Sequence, residues 1–225
     1  MISEFHAPFS PVIMVSMVPD RFVEIVNERA DIVLNSEVYS AKFDWSDNLV
    51  GKVHKEVLVP VKNEDDREFL FATMKDACIE YLKKLIENNT AQSWNRIAGD
   101  AMPTRENIHL THSWVVSQYA GEYNPWHNHS GDFSAVLYLK IPPKMHEEWK
   151  EDWEDHYPAN GLIEFAYGEA QDFRIGTFKV KPEVGKLLMF PSYLKHYVYP
   201  FKCEGERRSM SFNAHMMMDG LDDIS

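Results

Sequence analysis

Cysteine is scarce in this chain of 225 residues: Cys78 and Cys203 are the only two, far apart and in no CxxC spacing. Such usage fits free thiols in an intracellular protein better than a disulfide framework. Long apolar runs are missing as well. No stretch of about 18 apolar residues occurs, so no membrane-spanning helix is expected. Positive charge is the minority sign, with 23 Lys and Arg against 35 Asp and Glu and a formal net charge of -12. Duplex nucleic acid is thereby disfavoured as a partner, because phosphate binding relies on a basic surface. Low-complexity tracts and internal repeats are also absent. The opening MISEFHAPFS has an acid and a histidine where a signal peptide has basic residues ahead of an apolar stretch. A cytoplasmic location is the expectation.

What is present suffices for a core. Apolar residues make up 44% of the chain and aromatic residues 13%, too much for disorder, and the length suits a single domain over 1–225. Two helices are predicted. Residues 19–34 place Phe22, Ile25, Val26, Ala30 and Val33 at helical spacing. Residues 63–89 show more: Asn63 as cap, Asp65 and Asp66 at the positive end of the dipole, and Lys83 and Lys84 toward the other. Leu70, Met74, Ala77, Tyr81 and Leu85 form its apolar stripe. After about residue 105 short β-rich runs take over, at 109–119, 133–141, 161–168, 173–181, 186–191, 196–201 and 207–218. The expected fold class is mainly β (α+β). Such runs suggest a sandwich or barrel over about 105–218, with the helical part, about 1–100, packed on one outer face. An acid-rich insertion at 144–158, with Trp149 and Trp153, reads either as a short helix pinned to the body or as a lid.

Two histidines raise the question of chemistry. His127 and His129, in YNPWHNHSGDF, point to the same side of an extended chain, since the side-chain period of a strand is two. His196 opens a later strand after the Gly185 turn. In the last strand Arg207, Ser209, Ser211 and Asn213 share one face, opposite Arg208, Met210 and Phe212. Ser134 and Tyr138 likewise share a face, opposite Phe133, Ala135, Leu137 and Leu139. Polar groups inside a barrel and apolar groups against an outer layer build a cavity. His109 and His112, three apart, point to opposite faces and read as structural, and His215 has little to place it in the cavity.

Three segments occur in order: WHNHSGDFSAVLYL (126–139), GKLLMFPSYLKH (185–196) and ERRSMSFN (206–213). Together they resemble the 2-oxoglutarate/Fe(II)-dependent oxygenases, and within them a small bacterial and phage group with WHxH, SGxxYL, FPxxxxH and ERxSxSFN segments. The resemblance covers roughly residues 110–218. It narrows the fold to a jelly-roll, cupin-like barrel, the double-stranded β-helix. It also implies the use of Fe(II), 2-oxoglutarate and O2, and hydroxylation of an acceptor coupled to decarboxylation of 2-oxoglutarate to succinate. By position it gives His127, His129 and His196 as iron ligands and Arg207, Ser209 and Tyr138 as the co-substrate site, with Asn213 on the wall. One departure stands out: His129 occupies the position of the family's usual carboxylate ligand. Imidazole is a competent iron ligand, and Asp132, after the Ser130-Gly131 turn, is the rival.

Two other readings stay open. A cupin-type three-histidine enzyme would use O2 without 2-oxoglutarate and would have no need of Arg207. A non-catalytic barrel acting as a binding or structural protein would bind no metal. The expected partner is a small-molecule or peptide side-chain substrate, a symmetric homodimer is the default assembly, and a phage-encoded copy would act in the host cytoplasm. The acceptor itself is not readable from the barrel.

Overall fold

The computed structural model describes residues 11–48, 50–99, 101–150, 158–172 and 175–217. Its first half runs β1 (Met14–Met17), α1 (Asp20–Leu34), α2 (Glu37–Lys42), β2 (Lys55–Leu58), α3 (Glu64–Glu87) and α4 (Gln92–Ala98). The second half is β: β3 (Ile108–Gln118), β4 (Asn124–His127), β5 (Phe133–Lys140), β6 (Ile163–Ala166), β7 (Thr177–Val180), β8 (Lys186–Pro191), β9 (Lys195–Val198) and β10 (Arg207–Met216). They form a six-stranded sheet of order β1-β8-β5-β10-β3-β2 and a four-stranded sheet of order β4-β9-β6-β7. Every strand pairing is antiparallel.

The helices form where local chemistry asks for them. Asn63 caps α3, its Oδ1 accepting from the Asp66 N–H at 2.9 Å, and Glu64, Asp65 and Asp66 occupy the first turn, where carboxylates meet the positive end of the dipole. Leu70, Met74, Cys78 and Leu82 then run down one side at intervals of four, with Tyr81 beside them. Cys78, to which the sequence assigns no role, is a core residue with no exposed surface. The helix α1 buries Phe22, Val23, Ile25, Val26, Ala30 and Val33.

Two apolar layers result. Phe133, Ala135, Leu137 and Leu139 of β5 join Met210, Phe212 and Ala214 of β10 against α1, α3 and α4. On the opposite face Val136, Tyr138, Leu188 and Phe190 meet Ile163, Phe165, Val180 and Val198 of the smaller sheet. The alternation read along 133–139 and 207–213 is the one observed. The helices thus cover the outer face of the large sheet, and the small sheet covers its inner face.

The helical part expected over about 1–100 also contributes two strands. β1 and β2 are the two edges of the large sheet. At four residues each they are too short for a period of two to stand out. No helix among the described residues is long and apolar enough to cross a membrane.

The layers are joined by one buried ionic group. Arg208, only 3% exposed, forks onto Glu206 at 2.8 and 2.9 Å and reaches Asp31 of α1 at 2.7 Å. Burial pushes the Glu206 carboxyl up, but hydrogen bonds from Arg208, Ser117 and Lys140 outweigh it and hold the group below its usual range. Arg208→Met, by leaving Glu206 buried without its main counter-charge, is expected to cost about 3 kcal/mol. Urea unfolding measures this directly; a loss below about 1 kcal/mol, the size of an exposed pair, would mean the fork does not hold the layers.

Candidate functional site

The inner face of the large sheet and the small sheet enclose a cavity lined by residues of β2, β3, β4, β9 and β10. Strand register places the histidines there. His127 lies directly opposite His196 in the β4–β9 pair, and their ring centroids are 4.3 Å apart. β4 ends at His127, so His129 sits just beyond the strand, its N–H donating to the Ser192 carbonyl at 3.0 Å. Its ring lies 5.0 Å from that of His127 and 5.2 Å from that of His196. One ring nitrogen from each of the three comes within 4.8 Å of the others. Imidazole nitrogens about 2.1 Å from one ion are themselves about 3–4 Å apart, so the scale suits a single metal.

Tautomers are set by the backbone. A carbonyl only accepts, so the contacts from His127 Nδ1 to Pro125 O (2.7 Å) and from His196 Nδ1 to Leu194 O (3.0 Å) place the proton on Nδ1. Nε2 is left as a lone pair, the form a metal needs. Burial lowers all three pKa values. That of His129 falls to about 4, from burial and then the neighbouring His127. That of His196, 2% exposed, falls to about 3, from burial and then His127. His127 is lowered by burial against the Pro125 hydrogen bond.

Asp132 is engaged elsewhere. Its Oδ2 accepts from the Met216 N–H at 2.8 Å and lies 3.5 Å from His215 Nδ1, and it is not part of the histidine cluster. His109 and His112 are exposed on β3, the latter stacked near Trp45.

Arg207 is the most deeply buried charge of the cavity, at 1% exposure. Its Nη1 donates to Gln118 Oε1 at 3.0 Å and its Nε to the Gly161 carbonyl at 3.3 Å. Gly161 itself has φ +69°, and a Cβ there would press on Met145 Sδ at 2.9 Å. The third group, Nη2, and the buried hydroxyl of Tyr138 make no well-formed hydrogen bond. The two residues face each other, the ring centre 5.1 Å from the guanidinium, and each favours the other's charged form. Burial lowers the Arg207 pKa and raises that of Tyr138. Among the described residues no carboxylate pairs with Arg207. A buried cation without an anion costs several kcal/mol, so the pair fits a carboxylate supplied from outside.

Ser209 and Ser211 line the cavity beside Arg207. Asn213 shares their face but is spent on structure, its Oδ1 accepting from Ser134 Oγ at 2.8 Å. Trp149 donates to the Asn160 carbonyl at 2.8 Å and lies under Lys181, away from the cavity; Trp153 is outside the described residues. Sequence reasoning missed Gln118, Glu56 and Trp114, which also line the cavity. Alternation along β3 from Trp114 through Val116 would have led to Gln118. Glu56 sits in the overlooked strand β2.

Two packed sheets thus hold three neutral histidines whose spacing could take one metal ion, and in the same cavity a buried arginine that no carboxylate of the described residues pairs. Residues 112–213 match the family model described as "Putative 2OG-Fe(II) oxygenase". That match and the fold support the 2-oxoglutarate/Fe(II)-dependent oxygenase superfamily, whose cofactors are Fe(II), 2-oxoglutarate and O2. No curated protein sequence matches it. Solved structures are similar in fold. A prolyl hydroxylase from Trichoplax adhaerens, in complex with a peptide fragment of the hypoxia inducible factor oxygen degradation domain, is 16% identical with a TM-score of 0.52, over 92% of this chain and 83% of that one. AviO1 from Streptomyces viridochromogenes is 13% identical with a TM-score of 0.53, over 90% and 89%. At such identities the likeness is one of fold, the double-stranded β-helix.

The depressed histidines link site to stability. Unfolded histidine takes up a proton below about pH 6.5, whereas folded His129 and His196 resist until about pH 4 and about pH 3. The unfolded state then binds more protons, and the metal-free protein loses stability as pH falls from 7 toward 5. Glu56, raised from 4.5 to about 7, acts in the opposite sense between those values, but it is one group against three. Thermal melting of the metal-free protein should give a lower Tm at pH 5 than at pH 7, with a smaller difference in His196→Gln. Equal Tm values at the two pH values would contradict the buried, neutral cluster.

Proposed function

We propose that the protein hydroxylates an acceptor in a reaction coupled to the conversion of 2-oxoglutarate to succinate, with His127, His129 and His196 as the iron ligands and Arg207 as the co-substrate clamp. The observation that carries this reading is the buried guanidinium with no anion, in the same cavity as the histidines. A cupin-type reaction without 2-oxoglutarate would leave that charge uncompensated.

Each residue has a physical task. The Nδ1–H bonds of His127 and His196 to backbone carbonyls hold their rings with Nε2 inward. Gln118 and the Gly161 carbonyl fix the Arg207 fork and leave Nη2 free. That Nη2 and the Tyr138 hydroxyl together donate to the distal carboxylate of 2-oxoglutarate, a charge-assisted pairing stronger than a neutral one. Val136 and Val198 give the same cavity apolar lining, and a less watery surrounding strengthens a charged pairing. When bound, Fe(II) with 2-oxoglutarate and O2 supplies oxidative decarboxylation and transfer of an oxygen atom into a C–H bond of the acceptor. The acceptor class is a small molecule or a peptide side chain; the peptide held by the Trichoplax neighbour supports the second.

The test is the weak visible band of chelated 2-oxoglutarate in the anaerobic Fe(II)-loaded protein. It should appear in the wild type and vanish in His129→Ala. In Arg207→Ala the affinity for 2-oxoglutarate should fall by at least about thirtyfold, roughly the 2 kcal/mol of a buried charged partner. Tight iron binding without a band would favour the cupin-type reaction, and a band surviving His129→Ala would remove that residue from the ligand set.

A further inference from the structure

A second set of unpaired atoms faces the same cavity, and its polarity is opposite. Glu56, on β2, pairs with Val116 of β3 and points inward with it. It is 3% exposed and its Oε1 has no partner. Asn124, at the start of β4, has a buried Oδ1 that is also without a partner. The two belong to one wall, because the Lys52–Tyr123 backbone bridge, with two hydrogen bonds of 2.9 Å, ties the loop before β2 to β4. Gly51 in that loop leaves the Asn124 amide its space: a Cβ there would lie 2.8 Å from Oδ1. Trp114 flanks the wall, its ring 5.7 Å from that of His129.

The other buried acids of the fold show what a structural carboxylate looks like here. Glu148 accepts from the N–H groups of Lys202 and Cys203 at 2.6–3.1 Å. Glu164 accepts from the Tyr199 hydroxyl, and Glu206 from Arg208, Lys140 and Ser117. Among these four acids only Glu56 has a fully buried oxygen, Oε1, to which no described residue donates. Buried acceptors are almost always paired, and leaving one unpaired costs about 1–3 kcal/mol.

We infer that Glu56 and Asn124 bind the primary substrate through a nitrogen that donates hydrogen bonds, an ammonium or guanidinium group, so that the enzyme selects a cationic acceptor. The inference rests on the oxygenase reading above and adds the class of its substrate. The donors on the other side, Arg207 Nη2 in the cavity and the Tyr138 hydroxyl behind it, suit the co-substrate carboxylate; the unpaired acceptors suit a ligand of the opposite kind. A second anion at this wall would meet the Glu56 carboxylate. Burial, and then the nearby Asp44, raise the Glu56 pKa to about 7, and a cation alongside favours its ionised form.

The probe is n-butylammonium, with butyrate as its anionic counterpart, titrated into the anaerobic full chain loaded with Fe(II) and 2-oxoglutarate. The readout is the indole N–H resonance of Trp114 in protein labelled at tryptophan nitrogen, assigned with Trp114→Phe. Butylammonium should shift that resonance saturably and butyrate should not. Glu56→Gln should weaken the binding roughly tenfold, the value of a hydrogen bond to a charged group, and Asn124→Ala should weaken it less. Circular dichroism checks that each variant is folded, and the Asn124 variant keeps the test decisive if Glu56→Gln is not. Equal shifts with both probes, or equal binding in both variants, would overturn the inference. So would the absence of any shift in a wild type that shows the 2-oxoglutarate band. Absence of that band from the wild type would instead sink the oxygenase reading beneath it.

Discussion

The alternation of one strand organises the molecule. β10 lies between β5 and β3 in the large sheet and is buried on both faces along its first eight residues, so neighbouring side chains enter different environments. Arg208 goes outward, where Glu206 and Asp31 complete it and bind the helical layer to the sheet. Arg207 goes inward, where Gln118 and a carbonyl hold it without neutralising it. Two adjacent residues of the same type thereby do different work: one charge is satisfied by the fold, the other is kept for a ligand. A shift of register by one residue would exchange them, and the bidentate contact to Glu206 together with the Asp31 pair opposes that shift.

The histidine cluster depends on pairing of a different kind. The facing positions of His127 and His196 come from the β4–β9 register, so the small sheet must form before two imidazoles can meet. His129 is brought in by the chain that follows β4, held by Ser192. Packing Phe165 and Phe190 rings against His196 at 5.7 and 4.9 Å removes water and lowers its basicity. The price is stability at mildly acid pH, and the gain is a set of lone pairs that need not lose a proton before meeting a metal.

Much of this was readable from residue order, because alternation is a local property. The two faces of β5 and β10, the cap of α3 and the stripe of α1 all follow from residues a few positions apart. What escaped detection was of two sorts. The edge strands β1 and β2 are short, and their strand character comes from Leu187, Leu188, Val115 and Val116 across the sheet, not from their own residues. Asn213 lies on the face that alternation gives it, but parity says nothing about partners, and Ser134 Oγ donates to its amide oxygen. The same limit hid Gln118, which matters only because register sets it opposite Arg207.

The cavity is a region where the fold leaves hydrogen bonds unmade. Arg207 Nη2, the Tyr138 hydroxyl, Glu56 Oε1 and the Asn124 amide oxygen are all buried without a well-formed hydrogen bond. A buried polar group costs about 1–3 kcal/mol when nothing pairs with it, so these four atoms are where a ligand has most to gain. The unpaired groups are also already in place, so a ligand gains their hydrogen bonds without having to order them. Donors toward β5 and β10 and acceptors toward β2 and β4 give the cavity a direction, and a ligand that enters reversed would put like against like. Orientation is then a property of the fold, set by which strand carries which unpaired atom.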